Sequence, residues 1–369
     1  MIDPGTLLVV ARALLFAAAG QLAGALYFDF SIAPLARGWR FIVWGGWGGA
    51  VLAASLWLVT QAAGFGHRPL GDVIGSGVLG ITVTRTRFGH IMMIELALAV
   101  STALALGAAA MLRQPFGRIG ILPAAAMLAT LAWIGHGGDD HGLAGVLHVG
   151  ADAIHLLAMG AWLGGLLPLA LMIRTAHRRG DVEAVTAARR AIWRYSSRCL
   201  WAVGALAVTG CVNAWLLVGS FHALVTTGYG QLLLVKIGIF LPMFGLAAIN
   251  REILIPRLSG PIPGEALDRA VQTFRPIYRN TILIAVLGII VLSVVAKLGR
   301  LPPALHDMSQ MQSDLLGTRL EGIGLQGFVT SFHNLRFAQS PVLADIDSVR
   351  DKESQRIPAP RGGSLNERE

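Results

Sequence analysis

"LHVGADAIHLLAMGAWLGGLLPLALMI", from Leu147 to Ile173, decides what kind of protein this is. It holds three ionisable side chains, His148, Asp152 and His155, in a stretch otherwise almost wholly apolar. An apolar run of about 20 residues crosses a bilayer as a helix, and this one is long enough to do so. Seven further runs of this kind occur, at residues 5–27, 41–63, 89–112, 119–135, 200–219, 231–255 and 281–298. Composition agrees: 54% of residues are hydrophobic and 14% charged, whereas about 25% are charged in an average soluble domain.

Inside a bilayer only helices or closed barrels satisfy the backbone. No stretch alternates apolar and polar residues between regular turn signals, which removes the barrel. The expectation is therefore an all-α, polytopic helical bundle with about eight transmembrane helices. The first run lacks a basic n-region and carries Arg12 within its apolar part, so it reads as a retained helix and not a cleaved signal. Cys199 and Cys211 lie about 18 Å apart along one helix, beyond disulfide reach, and read as packing residues.

Sidedness follows from the basic residues. The loops after the odd-numbered spans hold sixteen arginines, among them Arg37, Arg113, Arg174, Arg190 and Arg275. The opposite side holds five basic residues: Arg68, Arg85, Arg87, Lys297 and Arg300. The positive-inside rule puts the arginine-rich side in the cytoplasm and both termini outside. The net charge of +9 is thus accounted for without nucleic acid. His67, His136, His141, His148, His222 and His306 all fall at the outer face, which looks rich in imidazole and poor in cations.

His148, Asp152, His155 and Met159 follow one another at spacings of four, three and four, which places them on one helical face. The stripe descends about 16 Å from the outer mouth. Its ligand types run from imidazole and carboxylate to imidazole and thioether; softer donors favour Cu(I), and imidazole suits Cu(II), Zn or Ni. His136 and His141, in the Gly-rich loop with Asp139 and Asp140, lie at its entrance. The opposing reading is that one Asp and two His hydrogen-bond one another and set helix packing, although intramembrane ionisable groups are functional candidates by default. Arg12, His90, Glu95 and Lys236 lie at similar depth as candidate surrounding residues, with Arg12 and Glu95 a possible structural pair. Met92 and Met93 read as lipid-facing or core residues. Gly45 with Gly49, and Gly160 with Gly164, are small-xxx-small patterns that mark close helix contacts.

Several motifs in order carry a family resemblance. They are "TRFG" (Thr86–Gly89), "GH" (Gly135, His136), "ADAIHLLAMGAWLGGLLPL" (Ala151–Leu169), "TGCVNA" (Thr209–Ala214), "TTGYGQLLLVKIGIF" (Thr226–Phe240), "INREILIP" (Ile249–Pro256) and "LGRLPPALH" (Leu298–His306). Together they resemble the bacterial CopD copper-resistance membrane proteins over residues 6–306. The resemblance implies an inner-membrane protein of copper homeostasis that moves copper toward the cytoplasm, often beside a periplasmic CopC-like carrier, and that is not an enzyme. Position by position it implies His136, Asp152 and His155 as copper residues, Trp162, Gly164 and Gly165 as packing, and Lys236, Asn250 and Arg251 as matched positions without an assigned role. Glu95 departs from it, standing where a basic residue is expected, and Asn280 begins the last span without the expected glutamate.

Residues 1–306 thus form the transmembrane domain, and 307–369 a polar tail that composition marks as flexible. The metal candidates are His136, His141, His148, Asp152, His155 and Met159. Transport of copper is the first expectation, and a copper donor or sensor without flux the second. A haem-binding redox protein is the third. It needs imidazoles on facing helices at matching depth, and only His155 lies well inside a span.

Overall fold

The computed structural model describes residues 4–135, 142–260, 265–301 and 304. Two compact units divide the chain, Met1–Met308 and Ser309–Glu369, and every described residue belongs to the first. The expected tail at 307–369 and the loop with His136, Asp139, Asp140 and His141 lie outside the described residues. No strand occurs among the described residues.

Among the described residues, eleven α-helices follow in order: α1 (Pro4–Ser31), α2 (Phe41–Gly66), α3 (Val78–Arg85), α4 (Arg87–Met111), α5 (Phe116–Thr130), α6 (Gly142–Met159), α7 (Leu166–Arg179), α8 (Val182–Val218), α9 (Phe221–Thr226), α10 (Gly228–Ile249) and α11 (Glu265–Leu298). Among the described residues, eight segments are long and apolar enough to cross a membrane, in agreement with the sequence: Gly5–Ser31, Arg37–Gly66, Arg87–Met111, Phe116–Ile134, Gly142–Arg179, Val182–Val218, Gly228–Leu258 and Leu267–Leu298. The short α3 and α9 lie between crossings. A π-helical turn, Gly160–Gly164, joins α6 to α7, and a second, Asn250–Leu254, extends α10.

The sixth and eighth segments begin well before the expected residues 200 and 281. Their arginine-rich starts, expected as loop, are helical. Hydropathy detects only the stretch that must be apolar, while a nucleated helix continues into the interface wherever its residues are good helix formers. Asp181 caps the start of α8, its Oδ1 accepting from the Ala184 amide at 2.8 Å. That hydrogen bond, aided by Arg179, holds the Asp181 carboxyl below its ordinary range.

Helix α1 is apolar on nearly every side, as a central helix must be, and it packs against α2, α5, α11 and the π turn. Its contact with the π turn is backbone to backbone. A Cβ on Gly24 would fall on the Gly160 carbonyl and the Gly164 backbone, and one on Gly164 would fall on the Gly20 carbonyl. The expected small-residue contact at Gly160 and Gly164 therefore forms, with Gly20 and Gly24 as its partners. The π turn presents Trp162 inward, 3% exposed, where it meets the Phe240 ring edge-on at 5.9 Å. The Trp162 carbonyl accepts from the Tyr195 hydroxyl.

The expected pair Gly45 and Gly49 is corrected by one position. Gly45 faces open space, whereas Gly46 lies against the Leu22 backbone and Gly49 against Ala18. Two adjacent glycines made either register possible, and the neighbouring α1 selects the inward one. At the arginine-rich end, buried Asp29 of α1 accepts from the Leu35 amide at 2.6 Å and from the Gly117 amide at 2.7 Å. One carboxylate thereby ties the first connection to the start of α5.

Adding a methyl where backbones touch forces the helices apart, at about 1–3 kcal/mol for overpacking. Gly164→Ala and Gly24→Ala are expected to lower the unfolding midpoint of the purified protein in detergent, and Gly45→Ala to leave it unchanged.

Candidate metal path between α6 and α8

Helices α6 and α8 run antiparallel, and two polar rungs join them. Asn213 Nδ2 donates to Asp152 Oδ1 at 2.6 Å, and one turn deeper His155 Nδ1 lies 2.8 Å from Thr209 Oγ1. Asp152 and His155 are three apart on α6, while Thr209 and Asn213 are four apart on α8, so both pairs share one seam. Neither α8 residue was singled out as a candidate, although two polar side chains at helical spacing in an apolar span were the available signal.

The second rung sets the histidine tautomer. The Thr209 hydroxyl gives its one proton to the Ala205 carbonyl at 2.6 Å. Its oxygen therefore accepts from His155 Nδ1–H, which leaves the lone pair on Nε2. Metal-binding histidines are commonly oriented in this way, with the second ring nitrogen donating to a fixed acceptor. In the first rung, Asn213 Oδ1 is buried and has no hydrogen-bond partner. An amide oxygen and a carboxylate are thus both available to a cation.

Above the seam lies a cavity of about 110 Å³ lined by His148, Asp152, Asn213, Tyr229, Lys236 and Arg12, among others. His148 is 1% exposed and on the same wall as Asp152. Gly210 also lines the cavity, and a Cβ there would stand 3.6 Å from His155 Cε1. The missing side chain leaves the His155 ring next to the cavity.

Two cations share this space with Asp152. Arg12 Nη1 donates to the Gly299 carbonyl at 2.9 Å, with its guanidinium carbon 5.4 Å from the Trp57 ring centroid. Lys236 reaches the cavity from α10, so both side chains line it together with Asp152. A second cavity of about 440 Å³ meets the first at Arg12, Gly135 and Gly299, and carries Arg87 and Arg300 as well. Arg12 comes from a membrane span and Arg87 and Arg300 from helix ends, and the bundle gathers the three around one cavity.

The remaining candidates separate. Met159 is buried and faces α1, where a Cβ on Gly20 would lie 3.1 Å from its sulfur. His90 Nε2 donates to the Thr84 carbonyl at 3.0 Å, closing the end of α3. Glu95 accepts from Thr130 Oγ1 at 2.6 Å, and among the described residues no ion pair joins it to Arg12. Asn280 bonds Asn250 at 2.9 Å, and Arg251 donates to Ser196 at 3.2 Å, both far along the helices from Asp152. His136 and His141 lie outside the described residues. Among the described residues, no group of three His, Cys, Asp or Glu side chains gathers into a ready-made metal cage.

Comparison with known proteins places the chain in a family. The model "Copper resistance protein D-like, N-terminal domain" matches residues 1–146, and "Copper resistance protein D" matches 189–298. The stretch 147–188, with Asp152 and His155, lies between the two matches. The chain is 32% identical to the copper resistance protein D of Pseudomonas syringae pv. tomato over 227 residues, 61% of this chain and 71% of that one. It is 31% identical to the inner membrane protein YebZ of Escherichia coli strain K12 over 240 residues, 63% of this chain and 77% of that one. To the copper transport protein CutJ of Bacillus subtilis strain 168 it is 29% identical over 260 residues, 68% of this chain and 46% of that longer one. No solved structure matches. A multi-pass helical bundle whose two halves both match copper resistance models, this chain belongs to the copper resistance protein D family.

Proposed function

We propose that the protein carries copper across the inner membrane toward the cytoplasm, with the ion entering at His136, His141 and His148 and descending past Asp152 and His155 toward Met159. The observation that carries this reading is the seam between α6 and α8. Asn213 and Thr209 hold a carboxylate and an imidazole one turn apart inside a membrane span, with the Nε2 lone pair of His155 left over. Family membership supplies the ion. The arginine-rich ends of the spans mark the cytoplasmic side, and the path is read as leading toward it from the opposite end.

Arg12 and Lys236 take a definite part in this reading. A carboxylate in a bilayer span is costly without a counter-charge, and these two side chains provide it while no metal is present. An arriving copper ion replaces them as the counter-charge of Asp152, and Lys236, on a flexible stem, is the one able to withdraw. Imidazole suits Cu(II) as well as softer ions, whereas the thioether of Met159 favours Cu(I). A periplasmic CopC-like carrier fits as donor.

A second reading, in which copper is held at the outer end and handed to a partner, is favoured by one observation. Met159 is packed against Gly20 beside the backbone-to-backbone crossing of α1 with the π turn, so passage requires α1 and α6 to part, whereas holding does not.

Copper uptake into proteoliposomes tests both readings. Wild type is expected to accumulate copper, and His155→Ala and Asp152→Ala to abolish uptake. Wild type that binds copper but accumulates none overturns transport and leaves the holding role. Met159→Leu, which conserves volume, is expected to impair flux while leaving copper binding at the outer rungs intact. Equal flux in wild type and this variant would place the end of the path above Met159. Thr209→Val removes only the acceptor that orients His155, and should weaken copper binding about 10–100-fold, as loss of a supporting hydrogen bond does, with the unfolding midpoint unchanged.

A further inference from the structure

On the other flank of the bundle, α2, α4 and α5 enclose a small cavity of about 50 Å³ that shares no residue with the one above Asp152. Its wall includes Met92 and Glu95 of α4, Met127 of α5 and Ser55 of α2. Glu95 is 1% exposed, Met92 4% and Met127 0%, so a buried carboxyl and two buried thioethers line one space, whose outer wall is formed by Met93, Leu96 and Ser55. One carboxyl oxygen, Oε2, accepts from Thr130. The other, Oε1, is buried with no hydrogen-bond partner.

That orphan oxygen needs an explanation, because a buried carboxyl oxygen without a hydrogen-bond partner is costly in a membrane span, and a cation that entered the pocket would take the place of the carboxyl proton. Basic side chains do not meet it: Arg12 is held at Gly299, and no Lys, Arg or His lines the cavity. An ordered water is a poor occupant, since it needs two to four polar partners. Here it would find Oε1 and Ser55, whose hydroxyl already donates to the Val51 carbonyl at 2.9 Å, while thioethers accept hydrogen bonds only weakly. A hard divalent ion fits no better, because Mg²⁺ and Ca²⁺ take six or more oxygen ligands. A soft monovalent cation suits the donor types that line the cavity, two thioethers and a carboxyl. Thioether sulfur selects Cu(I), and the single positive charge neutralises one carboxylate.

We infer that Met92, Met127 and Glu95 form a second, separate Cu(I)-binding site, seated between α4 and α5 and apart from the α6–α8 seam. The inference shares with the proposed function only the identity of the ion. Met93, the next residue, also lines the cavity, but it is 45% exposed, and the two buried sulfurs are the ones assigned as ligands. Glu95 thereby acquires a role of its own, as the charge-matching ligand of a soft-metal pocket.

The test is a Cu(I) titration of the full-length protein, under reductant, against a chromogenic Cu(I) chelator. Wild type is expected to hold two equivalents. The double variant Met92→Leu, Met127→Leu, which conserves side-chain volume, should hold one, and Glu95→Gln should weaken that same equivalent. His155→Ala should lose the other equivalent and keep this one, with sulfur scattering at its copper absorption edge. In parallel, the infrared carboxylic-acid band that Glu95→Gln removes should vanish from wild type when Cu(I) is added. If the methionine variant holds as much Cu(I) as wild type and the band is unmoved by copper, the second site is overturned while the seam stands. If His155→Ala loses nothing and the methionine variant loses an equivalent, the seam fails as a copper site and the pocket survives. Absence of any bound Cu(I) in wild type overturns both.

Discussion

Everything in this bundle is arranged around the crossing of α1 with the π turn at Gly160–Gly164. Lipid tails are as apolar as the side chains, so helices in a membrane gain little from hydrophobic burial and associate through close packing. Gly20 and Gly24 on one side and Gly160 and Gly164 on the other bring two backbones into contact. The π turn widens the helix at that point, as π-bulges at functional sites often do, and aims Trp162 inward against Phe240. With the lower half of the α6–α7 segment clamped to α1, its upper half is held beside α8.

The polar chemistry follows from that placement. Along α6 the stripe of His148, Asp152, His155 and Met159 is one face, but its neighbours change with depth. At the top it opens on a cavity shared with α1, α10 and α11. In the middle it meets Thr209 and Asn213 of α8, and at the bottom it presses on Gly20. One helical face therefore contains an opening, a pair of oriented donors and a closed contact. The cations Arg12 and Lys236 fit this order. They stand where Asp152 would otherwise lack a counter-charge, and Arg12 also forms part of the wall between the two cavities.

The helical class, the eight crossings and the stripe on α6 were legible in the sequence because each depends on local pattern: length and apolarity set the spans, and spacing sets the face. Residues 182–199 and 265–280 were not legible as helix, since they lie where polarity no longer distinguishes a helix from a loop. The choice between Gly45 and Gly46 needed the position of Leu22. The grouping of Arg12, Arg87 and Arg300 needed three segments far apart in the chain to meet at one cavity.

By itself, then, the sequence determined that this is an eight-span helical membrane protein with a His, Asp and Met face and the motifs of the copper resistance protein D family. Helix periodicity and bilayer thickness are properties of short stretches of chain. Only the tertiary structure decided which helix that face meets: that Thr209 leaves a lone pair on His155 Nε2, that Met159 closes on Gly20, and that Glu95 sits with Met92 and Met127 and not with Arg12. Those pairings depend on how close two backbones come and at what angle, and the small residues that permit the approach look alike in sequence wherever they occur.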